Sequence, residues 1–470
     1  MAHRDVPPLP CALTRWPGVS AHLLALSLAP PASGAALVAE LAQLRDALNV
    51  QQLSFTTSTR MAGFFDGARA PAHRAWFLRN GGLAAVLAAA AVLKDTLECS
   101  NATCATAPLR LLRAGAPGTV SLTRDAATAL LATAFLCLTP AQLNEFPTFC
   151  FRELWIKAEL PSHAAKLDCH LHYFRLRATA PPPPGVLRFE RRVLDAAAAA
   201  AEANAVAAPL CHLLVLPRAS ICASNAPLRV DFANMHLGGG TLRGGCVQEE
   251  ILFSQRPELC VGCLLCEKMG DTEAIIMRGA ACYSATAGYE DNFRWVGDAA
   301  AADAAPHDYV AFDAIKFFKP SSSPPRKGTV HLQWREDNLR RELRKALVAF
   351  AAPGGGRAPA VATGNWGCGA FNGNPHLKAL LQWAAASIAQ CDAMHYHVFG
   401  AEQGQLVPAL EAAVQHVTSA WPANARTAGA LCAAVARYAF RERKGQRQPP
   451  LLTWILSQDA REAANCWART

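Results

Sequence analysis

Apolar and polar positions change character once along the chain, near residue 171. Before it, apolar residues recur at helical spacing in Ala/Leu-rich runs over residues 34–48 and 81–97. A third helical run covers residues 121–138, with Ser121 or Thr123 as N-cap, because a short hydroxyl side chain accepts from a first-turn amide. A fourth, rich in aromatics, covers residues 146–160 and stops at Pro161. Residues 1–165 therefore read as an all-helical accessory domain, a buttress for whatever follows. From residue 171 the pattern alternates, and residues 172–177 and 186–191 read as paired strands. The four prolines at 181–184 form the stiff, exposed tip between them.

Beyond an Ala-rich helical run at 195–208, strand-like and helix-like runs interleave. The strands fall at 212–217, 228–233, 274–278, 309–317, 358–363 and 395–399. Helices fall at 250–269, 336–350, 375–390, 406–420 and 427–440. That order predicts an α/β sandwich with a mixed sheet over residues 166–470.

Length and composition narrow this only a little. A chain of 470 residues can bury two sizeable cores, and 52% hydrophobic with 17% charged residues fits an ordinary soluble, intracellular protein. No apolar run reaches the ~20 residues of a membrane-spanning helix. Seventeen cysteines without a secretion signal read as reduced thiols. The net charge of +9 suits nucleic acid, and equally a polyanionic substrate steered toward a cleft.

Candidate chemistry concentrates at residues 230–250, VDFANMHLGGGTLRGGCVQEE. A short strand carrying Asp231 leads into Gly238, Gly239 and Gly240, two further glycines, and then Gln248, Glu249 and Glu250. Glycine lets backbone N–H groups turn outward toward phosphate or sugar oxygens. Two adjacent carboxylates are costly to crowd together unless chemistry or a polyhydroxyl ligand uses them. Neighbouring side chains point in different directions, so the pair cannot flank a scissile bond as the paired acids of most glycosidases do. One acid faces the sugar carbon and the other holds ribose hydroxyls. The bland alternative is two acids at the positive end of a surface helix; the glycines and Gln248 argue against it. Asp231 and Asn234 after a strand would, in isolation, tie down a turn.

A second glycine loop, GNWGCGAF at residues 364–371, runs into a helix near Pro375 and makes a natural diphosphate cradle. Backbone N–H groups of Gly367, Cys368, Gly369, Ala370 and Phe371 are expected on the diphosphate, with Phe371 against the sugar. Cys368 reads as a small packing residue. Cys260, Cys263 and Cys266 read as buried thiols on one helix face rather than a zinc site, since no second ligand pair lies near. The basic run at 335–345 reads as a solvated helix face with i, i+4 pairs.

At these residues the chain resembles the poly(ADP-ribose) glycohydrolase family, through GGG followed by QEE, the VDFAN before it, and ATGNWGCGAF at residues 362–371. The resemblance implies a macrodomain-like α/β/α sandwich and hydrolysis of ribose–ribose bonds in poly(ADP-ribose). It makes Glu250 the general acid/base, Glu249 a ribose-positioning acid and Asn234 a contact to the reacting ribose, while Asp231 helps fix the loop. Tyr289 and Phe399 are then the aromatics on adenine. An acid that reads the adenine amino group in the family has no counterpart at residues 221–226, ICASNA. No metal or cofactor is implied. The partner is poly(ADP-ribose) on modified proteins, with no direct nucleic-acid recognition, no membrane, a monomeric state, nuclear or cytoplasmic location and a place in the DNA damage response. Two other functions remain open at this point: a non-catalytic ADP-ribose reader, and a hydrolase of protein-linked mono-ADP-ribose.

Overall fold

The computed structural model describes residues 6–66, 74, 77–78, 81–103, 109–142, 144–194, 207–218, 220–319, 329–400 and 403–458. Most of the Ala-rich run at 195–208 lies outside the described residues. Along them run ten strands: β1 (Gly118–Leu122), β2 (Leu187–Val193), β3 (His212–Pro217), β4 (Leu228–Asp231), β5 (Glu273–Ala280), β6 (Ser284–Ala287), β7 (Arg294–Asp298), β8 (His307–Ala311), β9 (Val361–Gly364) and β10 (Ala393–Val398). The chain divides into two compact units. The first comprises Met1–Arg191, His236–Lys268 and Met277–His307; the second comprises Arg192–Met235, Met269–Ile276 and Asp308–Thr470.

The first unit is mostly helical. Ser33 caps the helix Gly34–Leu48 by accepting from the Ala36 amide at 3.1 Å, and Asn49 ends it in the left-handed region. The run at 81–97 divides into Gly82–Ala91 and Leu93–Thr103. The run at 121–138 also divides: Ser121 belongs to β1, and Thr123 caps the helix Arg124–Phe135. Residues 146–160 give only the short helix Arg152–Ile156, because their aromatics fill a core. Trp155 meets Phe135 with ring centroids 5.1 Å apart at 72° and Phe64 at 5.4 Å.

Residues 172–177 are not a strand. They lie in the helix Pro161–Thr179, where every residue from 165 to 174 is buried. A helix covered on all sides shows no apolar stripe, so its 3.6-residue period leaves no trace. The strand reading at 186–191 stands, since β2 pairs antiparallel with β1 from Gly118↔Arg191 to Leu122↔Leu187. β6 and β7 form a separate antiparallel hairpin.

A buried polar knot pins the first unit. Arg124, the first residue of its helix, holds Glu258 through Nη1 and donates to Gly279 O and Pro183 O at 2.8 Å each. Tyr283 OH donates to Glu258 at 2.6 Å. Burial pushes the Glu258 carboxyl up, and Arg124 opposes that.

In the second unit β8, β4, β9, β10 and β3 lie side by side, and every pair among them is parallel. With the antiparallel pairs of the first unit, the strands as a set are mixed. The helices Glu336–Phe350, Pro375–Ile388 and Ala428–Arg443 contribute to one core with Trp366, Trp383 and Trp421. The basic run is only partly a solvated face. Arg340 does pair with Glu336 at 2.9 Å, but Lys345 is fully buried, 2.7 Å from Asp313 and donating to Gly270 O and Glu273 O at 2.6 Å. No helix among the described residues is long and apolar enough to cross a membrane.

Replacing Arg124 with Met strands the Glu258 carboxyl in the core, with Tyr283 as its remaining donor among the described residues. We expect Arg124→Met to lose about 3–5 kcal/mol in urea unfolding, with a second change, Glu258→Gln, restoring part of it. A loss below about 1 kcal/mol would show that the knot is dispensable.

Candidate active site

In the first unit the triple glycine is a clamp for two acids. The Gly238 amide donates to Glu249 Oε1 at 2.7 Å, and the Gly240 amide to Glu250 Oε1 at 2.9 Å. The Gly239 amide turns inward to His236 O at 2.9 Å. Thus, of the three glycine amides that the sequence reading directs at a ligand, two are directed at carboxylates and one at a backbone carbonyl instead. Glu250 Oε2 accepts from the Val247 amide at 2.9 Å, closing the first turn of the helix Gln248–Gln255. Glu250 does therefore cap its helix, as the bland reading has it, but as a buried acid and not on a surface helix. Both acids are buried, Glu249 at 2% and Glu250 at 6% exposure.

Glycine is required here by close approach. A Cβ on Gly240 would stand 1.6 Å from Gly244 O, and one on Gly245, at φ +102°, would stand 3.1 Å from Glu250 Oε1. From the helix Pro161–Thr179, Lys166 reaches under the loop and donates to Gly240 O at 3.1 Å, Arg243 O at 3.3 Å and Gly245 O. Burial lowers the Lys166 ammonium's pKa, while Cys246 and Glu250 oppose it. No sequence signal marked Lys166 beyond a lone lysine in a run that turns out to be buried throughout.

Tyr289 joins the same constellation. Its hydroxyl is hydrogen-bonded at the Gln248 backbone, burial pushes it up to about 12, and the residue keeps 43% exposure. Gly288 before it, at φ +83°, allows the turn: a Cβ would meet Asn292 O at 1.9 Å. So Gly238, Gly239, Gly240, Gln248, Glu249, Glu250 and Tyr289 are gathered within the first unit.

The remaining expected residues lie in the second unit, after the carboxyl ends of adjacent parallel strands. Fully buried Asp231 ends β4, and half-buried Asn234 follows three residues later. Next to β4 is β9, whose loop begins at Gly364, where a Cβ would meet His397 O at 2.4 Å. Trp366 anchors that loop, its Nε1 donating to Phe312 O at 2.9 Å and its ring centroid 4.0 Å from Lys378 Nζ. Gly367, at φ +71°, has room for no side chain against Ala314. The loop closes on itself through the Asn372 amide to Gly369 O at 3.0 Å and the Gly373 amide to Gly367 O at 2.9 Å. Asn374 then caps the helix Pro375–Ile388 by accepting from the Leu377 amide at 3.0 Å.

The amides of Gly369, Ala370 and Phe371 are taken up by no acceptor among the described residues. Glycine bends that present free N–H groups just before a helix N-terminus suit an anion. Cys368 is half-buried with Sγ 3.5 Å from Trp366 O, and Phe371 is half-buried with Lys316 Nζ 5.8 Å from its ring centroid. Phe399 follows β10 and is 71% exposed, so core packing does not explain it. Residues 221–226 hold a short turn in which Ser224 O accepts from Arg229, and they carry no acid.

Cys260, Cys263 and Cys266 are buried as expected, but not on one helix. Pro257 breaks the run after Glu250 into Gln248–Gln255, the turn Pro257–Cys260 and Val261–Leu265. Burial pushes Cys260 and Cys266 up to about 12. Among the described residues no group of His, Cys, Asp or Glu could hold a metal ion.

Lys166→Met would leave three loop carbonyls without their buried donor, a loss of about 1–3 kcal/mol. Hydrogen exchange at the Gly240 and Val247 amides should then accelerate about tenfold or more relative to the parent chain. Unchanged protection at both amides would mean that the loop holds the acids without Lys166.

Comparison with known proteins identifies the family. The model for the poly(ADP-ribose) glycohydrolase macro domain fold matches residues 200–406, and that for the helical domain matches residues 86–191. Poly(ADP-ribose) glycohydrolase 1 of Arabidopsis thaliana is 31% identical over 375 residues, covering 63% of this chain and 66% of that protein. Probable poly(ADP-ribose) glycohydrolase 2 of the same plant is 29% identical over 344 residues, 62% of this chain and 65% of its own. Poly(ADP-ribose) glycohydrolase 1 of Caenorhabditis elegans is 39% identical over 192 residues, 37% of this chain and 23% of its own. The chain thus spans at most 66% of the length of these relatives. With both of that family's domains present in order along one sequence, the chain belongs to the poly(ADP-ribose) glycohydrolase family.

Proposed function

We propose that this chain hydrolyses ribose–ribose O-glycosidic bonds in poly(ADP-ribose) and releases ADP-ribose. The observation that carries the reading is the Glu250 carboxylate, fixed by the Gly240 and Val247 amides inside a bend that only glycine can make. A glycosidase needs such a carboxyl held in place through a change of protonation. Glu250 protonates the departing ribose oxygen as the bond to the anomeric carbon breaks, through an oxocarbenium-like transition state. It then takes a proton from the water that attacks that carbon.

Glu249, fixed by the Gly238 amide, positions ribose hydroxyls together with Gln248 and Asn234. Asp231 steadies the turn after β4. Amides of residues 367–371 take the diphosphate, with Cys368 in their lining and Phe371 against the sugar. Tyr289 and Phe399 stack on adenine, each worth ~1–3 kcal/mol of affinity. The net charge of +9 draws in the polyanion. The protein works as a monomer on polymer attached to proteins, in the nucleus or cytoplasm during the DNA damage response. Family membership is what supports those last assignments.

Labelled poly(ADP-ribose) incubated with the protein should yield free ADP-ribose. Glu250→Asn should keep polymer binding and lose turnover by about 10²–10⁴-fold. Binding without release by the parent chain would make it a reader. Equal rates on mono-modified protein would make it a hydrolase of the protein-linked unit.

A further inference from the structure

Arg45, in the last turn of the helix Gly34–Leu48, is 1% exposed, and none of its three guanidinium nitrogens has a hydrogen-bond partner among the described residues. A guanidinium removed from water is costly unless an anion faces it. The ionisable groups that act on Arg45 are Cys137, Cys150 and Arg152, with no carboxylate among them. Arg152 gives Nη1 to Gln51, while its Nε is buried and without a partner among the described residues. Two cations therefore converge on two thiols.

The thiols are neighbours. Cys137 and Cys150 are near enough to shift each other's titration, and Cys137 Sγ lies 3.8 Å from Phe135 O. Their backbones are held side by side at one carbonyl, since Ala134 O accepts from the Cys137 amide at 3.0 Å and from the Phe151 amide at 3.3 Å. Cys137 adopts φ +57°, a left-handed conformation that is strained for a residue with a Cβ. The thiols separate chemically as well: Cys150 is held down at about 6 while burial drives Cys137 well above its usual range. Cys150 is half-buried, whereas Cys137 is fully buried.

We infer that Cys150 and Cys137 form a redox-active dithiol, with Cys150 as the attacking thiolate, Cys137 as the resolving thiol and a peroxide as the oxidant. The Cys150 sulfur attacks one peroxide oxygen, the O–O bond breaks, hydroxide leaves and a sulfenic acid forms. Cys137 loses its proton to that hydroxide and attacks the Cys150 sulfur, displacing a second hydroxide and closing the disulfide. The two sulfurs give up two electrons together, and the peroxide is reduced to water and hydroxide. Arg45 and Arg152 stabilise the thiolate that starts the sequence. Nothing in this inference depends on the glycosidase reading.

The test uses the full chain in its native state. Iodoacetamide labelling followed by peptide mass spectrometry should give a Cys150 reaction profile with a midpoint near pH 6, while Cys260 and Cys266 stay unlabelled at pH 7. Limited hydrogen peroxide should produce a Cys137–Cys150 disulfide, reversed by dithiothreitol. In Cys137→Ser the reaction should stop at a sulfenic acid trapped by dimedone on Cys150. Arg45→Met should move the labelling midpoint up. The idea is overturned if native Cys150 labels as slowly as Cys260 at pH 7, or if peroxide gives no disulfide between these two residues.

Discussion

Two carboxylates held by glycine amides are the constraint around which the first unit's functional part is built. Glu249 and Glu250 are nearly inaccessible, and each is tied by an amide from a loop that no other residue type could form. A carboxylate buried without donors would be strongly disfavoured. Here three backbone N–H groups, the helix N-terminus and Lys166 beneath the loop compensate for it. The result is an acid held in a fixed position, which is what general acid/base catalysis asks of one.

The second unit solves a different problem with the same residue type. Its parallel strands end side by side, so the loops after β4, β9 and β10 come together without any special sequence. Gly364 and Gly367 let the β9 loop approach neighbouring backbone closely, and Trp366 nails its base to Phe312. Three amides are left facing out. Glycine serves the acids in one loop and spares donors in the other, a distinction that side-chain geometry reveals and composition does not.

Much of the fold was legible where local signals agree. Residues 34–48, 336–350 and 212–217 match their elements in full, because a capping residue, a strong apolar face or a short apolar run between turn residues marks each. The reading failed where tertiary packing erased the pattern. Residues 165–174 of the helix Pro161–Thr179 are buried on every side, so its later part resembled a strand, and Lys166 went unnoticed inside it. Pro257 broke a helix that apolar residues alone would have continued. The candidate residues were legible mainly as motifs, whereas the directions of the Gly238–Gly240 amides were not.

Everything rests on Glu250 being the acid that meets the sugar. The direct measurement is a crystal structure of the protein soaked with ADP-ribose. We predict the anomeric carbon of the ribose within reach of the Glu250 carboxyl. A bound ADP-ribose whose anomeric carbon lies away from Glu250 would contradict the account.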